Sequence, residues 1–234
     1  MGIFDWFKKD SSNVPFKDAW EGYFYSDYDN KSINIEINIS YTDIEKQTSK
    51  RDVTAKMFWY IPEENQHFIH GHCHVRNGNR TFRVGRIKEL IVVKTGEVIP
   101  PENYLSFFES EHKKTPDYVA SEILLKYQNA INLAVFIAES DGRFTAKEKE
   151  VIYEFIGSSE GNALPEEVTA KINKELKLIS VKQTKAKKSA KLIKESAESD
   201  TSKIIDMLEK IIGTTKTVNP VTEASFKLIQ SILL

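Results

Sequence analysis

The hydrophobic period changes once along this chain, and that change restricts the folds open to it. Between residues 33 and 93 apolar side chains recur at every second position, whereas from residue 118 onward they recur at helical spacing. Ile33, Ile35, Ile37, Ile39 and Tyr41 alternate with Asn34, Glu36, Asn38 and Ser40, the pattern of a strand with one buried face. Apolar segments at 53–61, 66–75, 80–84 and 88–93 predict four more strands, punctuated by Pro62, Asn77-Gly78 and Thr95-Gly96. Five short strands without an intervening helix predict a small antiparallel barrel or curled sheet. Helices are predicted over 118–139, 146–157, 165–179, 182–198, 202–212 and 220–233. Asn219 caps the last of these and Pro220 fits its first turn. The expected fold is α+β, with an N-terminal segment over 1–29, a small β-barrel over 30–100 and an all-helical domain over 118–234. The stretch 101–117 reads as a linker with a short helix near 104–108.

Composition narrows the function. The 234 residues carry 33 basic and 34 acidic side chains, and a near-neutral chain is not a general nucleic-acid coat protein. No apolar run approaches the ~20 residues that span a bilayer. The single Cys73 has no intramolecular partner, and with no export signal in view a reducing cytoplasm is the expected location. The first nine residues form a short amphipathic piece that is read either as a docked terminus or as a peripheral membrane contact. Balanced totals conceal one asymmetry: four of the six arginines fall between Arg76 and Arg86, a stretch without an acid.

If Asn77-Gly78 is a two-residue hairpin loop, it sets a register. Cys73 then faces Phe82 and Gly71 faces Val84 on the core side, while His72 faces Arg83, His74 faces Thr81 and His70 faces Gly85 on the other. Alternate histidines on a strand can share a metal ion, but an arginine opposite His72 repels a dication and the paired strands offer no carboxylate. The remaining readings are a polar surface and an anion-binding, base-stacking one in which basic side chains interleave with Phe68, and with Phe58 or Tyr60.

The run Gln66-His67-Phe68-Ile69-His70-Gly71-His72-Cys73, followed by Arg80-Thr81-Phe82-Arg83-Val84-Gly85-Arg86-Ile87, resembles a WYL domain. Tyr41 and Lys50-Arg51-Asp52-Val53 fit the same pattern, and the resemblance covers residues 30–100. It implies an Sm/SH3-like small barrel that senses a nucleotide-like ligand or a single-stranded nucleic acid. Carried over by motif, the ligand contacts are Arg51, Arg80, Arg83 and Arg86, with Phe68 and His72 beside them. The name-giving triplet appears here as His67-Phe68-Ile69.

In the helical half, Glu139-Ser140-Asp141-Gly142-Arg143-Phe144-Thr145-Ala146-Lys147-Glu148 joins two helices. Thr145 and Glu148 have capping-box spacing, and Asp141-Gly142 is a turn pair. The functional alternative is that Asp141 and Glu148 together hold a divalent cation. This block resembles the signature of the TerB-like tellurite-resistance family, over residues 118–233. That resemblance implies an all-helical bacterial stress-response module and metal-binding acidic clusters. The related second motif would fall at 211–220, where Thr215 and Lys216 replace the Asp-Gly.

Residues 182–194 hold six lysines and no acid, read as a solvated helix face or a surface for phosphate or an acidic partner. No Gly-rich phosphate loop, serine elbow or zinc-protease helix is present, so a non-enzyme is expected. The whole chain reads as a ligand sensor joined to a helical module that engages a protein partner.

Overall fold

The computed structural model describes residues 30–196, 200–214 and 218–234, and the chain divides into two units, Met1–Thr115 and Pro116–Leu234. The sequence features at residues 1–9 and at Thr215 and Lys216 lie outside the described residues. Among the described residues no helix is long and apolar enough to cross a membrane.

The first unit is built on β1 (Lys31–Thr42), β2 (Thr48–Ile61), β3 (Gln66–Cys73), β4 (Gly78–Arg83), β5 (Ile87–Val92) and β6 (Val98–Ile99). All pairings are antiparallel, in the order β4-β3-β2-β1-β5-β6. The expected closed barrel does not form: β4 and β6 are both edges, and the sheet is open. The supposed linker explains how an open sheet still buries its concave face. Helix α1 (Tyr104–Lys113) lays Tyr104 and Phe108 into the sheet core, and the Phe108 ring stacks on Phe58 at 5.4 Å. His112 Nδ1 donates to the Ser32 carbonyl at 2.9 Å, and Lys31 pairs with Glu109. The helix thus replaces the pairing that would have closed a barrel.

Alternation along β2 is interrupted. Val53 and Ala55 face the main core, but the ladder to β3 shifts between Ala55 and Met57. One extra residue in a strand turns the following side chains over. Phe58 therefore enters the main core, while Trp59 and Ile61 join Phe68 in a separate apolar cluster on the opposite face. Opposite the bulge, Gly71 lets the strands approach closely: a Cβ there would lie 2.1 Å from the Thr54 carbonyl oxygen.

The second unit contains α2 (Pro116–Lys126), α3 (Gln128–Ala138), α4 (Ala146–Glu160), α5 (Glu166–Leu176), α6 (Gln183–Glu195), α7 (Thr201–Ile212) and α8 (Pro220–Leu233). The single helix expected over 118–139 is broken at Tyr127, whose hydroxyl donates to Glu160 at 2.6 Å and whose ring meets Phe155 edge-on. α3 is apolar nearly all round and buried accordingly. Its one buried amide, Asn132, donates to Ser189 Oγ at 3.1 Å. α4 runs on to Glu160 because Gly161 supplies the left-handed cap.

Candidate functional site

The arginine-rich hairpin does not turn at a two-residue loop. His74–Arg76 forms a single 3-10 turn and Asn77 takes the left-handed conformation that returns the chain. The longer turn displaces every predicted pair: Cys73 meets Gly78, His70 meets Thr81, His72 meets Asn79, and Arg83 meets Phe68. The displacement is even, so each side chain keeps its predicted face although none keeps its predicted partner.

The corrected register creates a cleft. Tyr41, Asp43, Ile44, Trp59, Ile61, Glu64, Phe68, Thr81, Arg83 and Arg86 enclose about 290 Å³. Its floor is aromatic, with Trp59 and Phe68 stacked at 5.7 Å and both buried. Arg83 is held from three sides. Its Nη2 donates to Glu64 Oε2 at 2.6 Å, its guanidinium lies 5.4 Å from the Phe68 ring centroid, and its backbone N–H donates to the Tyr41 hydroxyl at 3.3 Å. The last bond reaches from the edge strand β4 to the end of β1, so curvature brings together strands that do not pair. The Tyr41 ring completes the contact edge-on to Phe82 at 5.1 Å. Arg86 ends the 3-10 turn Val84–Arg86 and, among the described residues, makes no ion pair. Exposed Ile44, on the β1–β2 turn, forms part of the rim.

Of the residues singled out in the sequence, Phe68, Arg83 and Arg86 line this cleft together. Arg51, His72 and Arg80 do not: Arg51 pairs opposite Ile39, His72 lies between Thr54 and Asn79, and Arg80 is exposed opposite Gly71. Strict alternation does not pick out Trp59, because the bulge that turns it to the cleft side also moves Phe58 into the main core. Three consecutive aromatics, Phe58-Trp59-Tyr60, inside an alternating segment are the available signal.

The histidines do not converge. His70 is buried, with Nδ1 2.9 Å from Thr81 Oγ1, and burial holds its pKa below the ordinary value. His74 Nε2 lies 2.8 Å from Thr54 Oγ1, and the His72 ring sits 5.0 Å from that of His74. His67 is also lowered, first by burial, with Glu109 opposing and Lys31 assisting.

Asp141 and Glu148 serve the backbone. Glu148 is buried, and its Oε2 accepts from Thr145 N at 2.6 Å and from Thr145 Oγ1 at 2.8 Å, while Thr145 Oγ1 accepts from Glu148 N at 3.3 Å. Asp141 Oδ1 accepts from Arg143 N at 3.0 Å, closing the turn beside Gly142. Among the described residues no group of three or more His, Cys, Asp or Glu side chains is placed to hold a metal ion.

No family model matches the chain, and no curated protein matches it. Among solved structures, proteasome accessory factor B/C (PafBC) of Arthrobacter aurescens is similar over 30% of this chain and 10% of that one, at 18% identity and a TM-score of 0.24. So partial a likeness carries no argument about function.

Proposed function

We propose that the sheet unit is a non-catalytic sensor for a small anionic, nucleotide-like ligand, and that the helical unit engages a protein partner. The observation that carries the first part is one cleft lined by Arg83, which lies over the Phe68 ring, by Arg86, and by the stacked Trp59 and Phe68. A guanidinium matches phosphate geometry, and an apolar aromatic floor suits a planar ring. Size favours a small ligand over a strand. The 290 Å³ cleft falls just short of the ~300–1,000 Å³ of small-molecule pockets, whereas a single-stranded nucleic acid occupies a groove of about 4–16 nucleotides. Charge points the same way. Asp43 and Glu64 balance the two arginines in the lining, so a polyanion is disfavoured and a ligand with one phosphate and several donors is favoured. The motif Arg80-Thr81-Phe82-Arg83-Val84-Gly85-Arg86-Ile87, with its likeness to WYL domains, supports the same reading. For the helical unit the support is its likeness to TerB-like modules around Asp141-Gly142.

Anisotropy titration with fluorescent mononucleotides tests the cleft. Loss of one charge-assisted hydrogen bond costs about 1.5–3 kcal/mol, so Arg86→Ala and Arg83→Ala each weaken binding about 10- to 150-fold. Equal affinity in wild type and both variants overturns the proposal. A labelled oligonucleotide that binds far more tightly than any mononucleotide replaces it with the strand-binding alternative.

A further inference from the structure

The lysine-rich helix α6 is a surface that neither the cleft nor the helical core uses. Its buried face is Ala186, Ser189, Ala190 and Ile193, packed in the helical core. Around the rest of the cylinder run two stripes: Lys187, Lys191 and Lys194 at helical spacing, and Lys185, Lys188 and Leu192 beside them. Leu192, 43% exposed, lies beside Lys185 and Lys188 toward one edge of this basic surface. Among the described residues none of these lysines makes an ion pair with a carboxylate, although such pairs occur on other helices, as between Lys227 and Glu223.

This arrangement works against the helix that carries it. Lys185 with Lys188, Lys188 with Lys191, Lys191 with Lys194, and Lys187 with Lys191 are like-charge neighbours at three- or four-residue spacing, each destabilising. Lys182 occupies the N-cap without a side-chain cap bond, and the first turn contains no acid, so positive charge gathers at the positive end of the helix dipole. A negative surface laid against this face would relieve all of these repulsions together.

We propose that the lysine face of α6 docks on an anionic membrane surface. Three features select a lipid plane. The cations are all lysines, hydrated point charges suited to a diffuse negative plane, without the bidentate geometry arginine brings to phosphates and carboxylates. Residues 181–195 contain no aromatic side chain on which a base could stack. Leu192 is an exposed apolar side chain next to Lys185 and Lys188, of the kind that interfacial helices set into the headgroup boundary. Clusters of about 4–8 basic residues on a helix bind anionic lipid reversibly and in a salt-sensitive way.

The test is co-sedimentation of the full chain with phosphatidylcholine vesicles containing about 30% phosphatidylglycerol, beside pure phosphatidylcholine vesicles. Binding is expected to the anionic vesicles alone and to fall as salt rises from about 50 to about 300 mM. Each lysine near such a surface contributes about fivefold, so the double variant Lys188→Gln/Lys191→Gln loses about 25-fold in partition. Both side chains are exposed, and helical circular dichroism of the variant remains that of wild type. A control, Lys203→Gln/Lys227→Gln, makes the same change in net charge on α7 and α8 and keeps wild-type binding. Absence of binding to either vesicle overturns the proposal, as does an equal loss in the control. So does full binding by the α6 variant together with loss in Phe4→Ser/Trp6→Ser, which assigns the contact to the N-terminus. Lysine-dependent binding of duplex DNA without vesicle binding overturns it in favour of a nucleic acid.

Discussion

Arg83 and Glu148 are both charged residues that a sequence motif singles out, yet the two units use them differently. Arg83 is fixed by Glu64, Phe68 and Tyr41 at the wall of a cleft that admits further atoms. Glu148 is turned inward, and its Oε2 is taken by the backbone and hydroxyl of Thr145. A charged side chain becomes a binding group only where its remaining hydrogen-bonding capacity faces a space, and burial against a helix end removes that space. The sheet unit supplies the space because its strands curve; the helical unit does not, because the cap closes on itself.

The comparison can be tested by separate probes, since Trp59 lies in the sheet of the first unit and most of the described helical residues lie in the other. Gly71→Ala is expected to act most strongly. Its Cβ would press on backbone atoms of β2, which cannot rotate aside, and overpacking of this kind costs about 3 kcal/mol. The tryptophan-fluorescence transition should fall while the 222 nm transition stays; the opposite order would contradict the close approach of β2 and β3. Next comes Glu148→Ala, which strips the capping box and leaves the partly buried Thr145 donors without an acceptor. A loss of about 2 kcal/mol should lower the 222 nm transition alone, and Glu148→Gln should recover much of it, because an amide oxygen can also accept. Full destabilisation by the Gln variant would show that charge matters at Glu148 beyond the cap.

Glu64→Gln sharpens the contrast at the cleft. Releasing Arg83 from its ion pair should raise mononucleotide affinity about tenfold, while Arg80→Ala, outside the cleft, leaves it within about twofold. Weaker binding by the Glu64 variant would assign that carboxylate to the ligand. The smallest effect concerns pH. All five histidines lie in the sheet unit, and burial lowers the pKa of His70 and His67. The unfolded chain then takes up protons first. Stability from these groups is complete above the unfolded value of about 6.5 and declines as pH falls from there through the lower folded values. The tryptophan transition should therefore weaken between about pH 7 and pH 5 with the helical transition level, and His70→Gln should flatten that slope.

Element order was largely legible from periodicity, because burial on one face leaves a period of two in a strand and a helical period in a helix. The strands β1 to β5 and the helices α4 to α8 fall near their predicted positions. The errors share a cause. Asn77-Gly78 is a real turn signal, but the extra 3-10 turn at His74–Arg76 depends on contacts such as His74 with Thr54, twenty residues away. The break at Tyr127 likewise falls at a residue whose hydroxyl bonds Glu160, 33 residues away. The helix at 104–113 was underestimated because its burial is settled by an open sheet, not by its own pattern.

The sequence by itself determined which residues alternate, where the helical half begins, that Thr145 and Glu148 could cap a helix, and that Phe68 and Arg83 share a face. Those properties are local or depend only on parity, which survives an even slip of register. The tertiary structure decided that Arg83 meets Phe68 and not His72, that a bulge turns Trp59 outward, and that curvature brings Tyr41 to β4. Each of these depends on side chains distant in sequence, and no local pattern encodes such a distance.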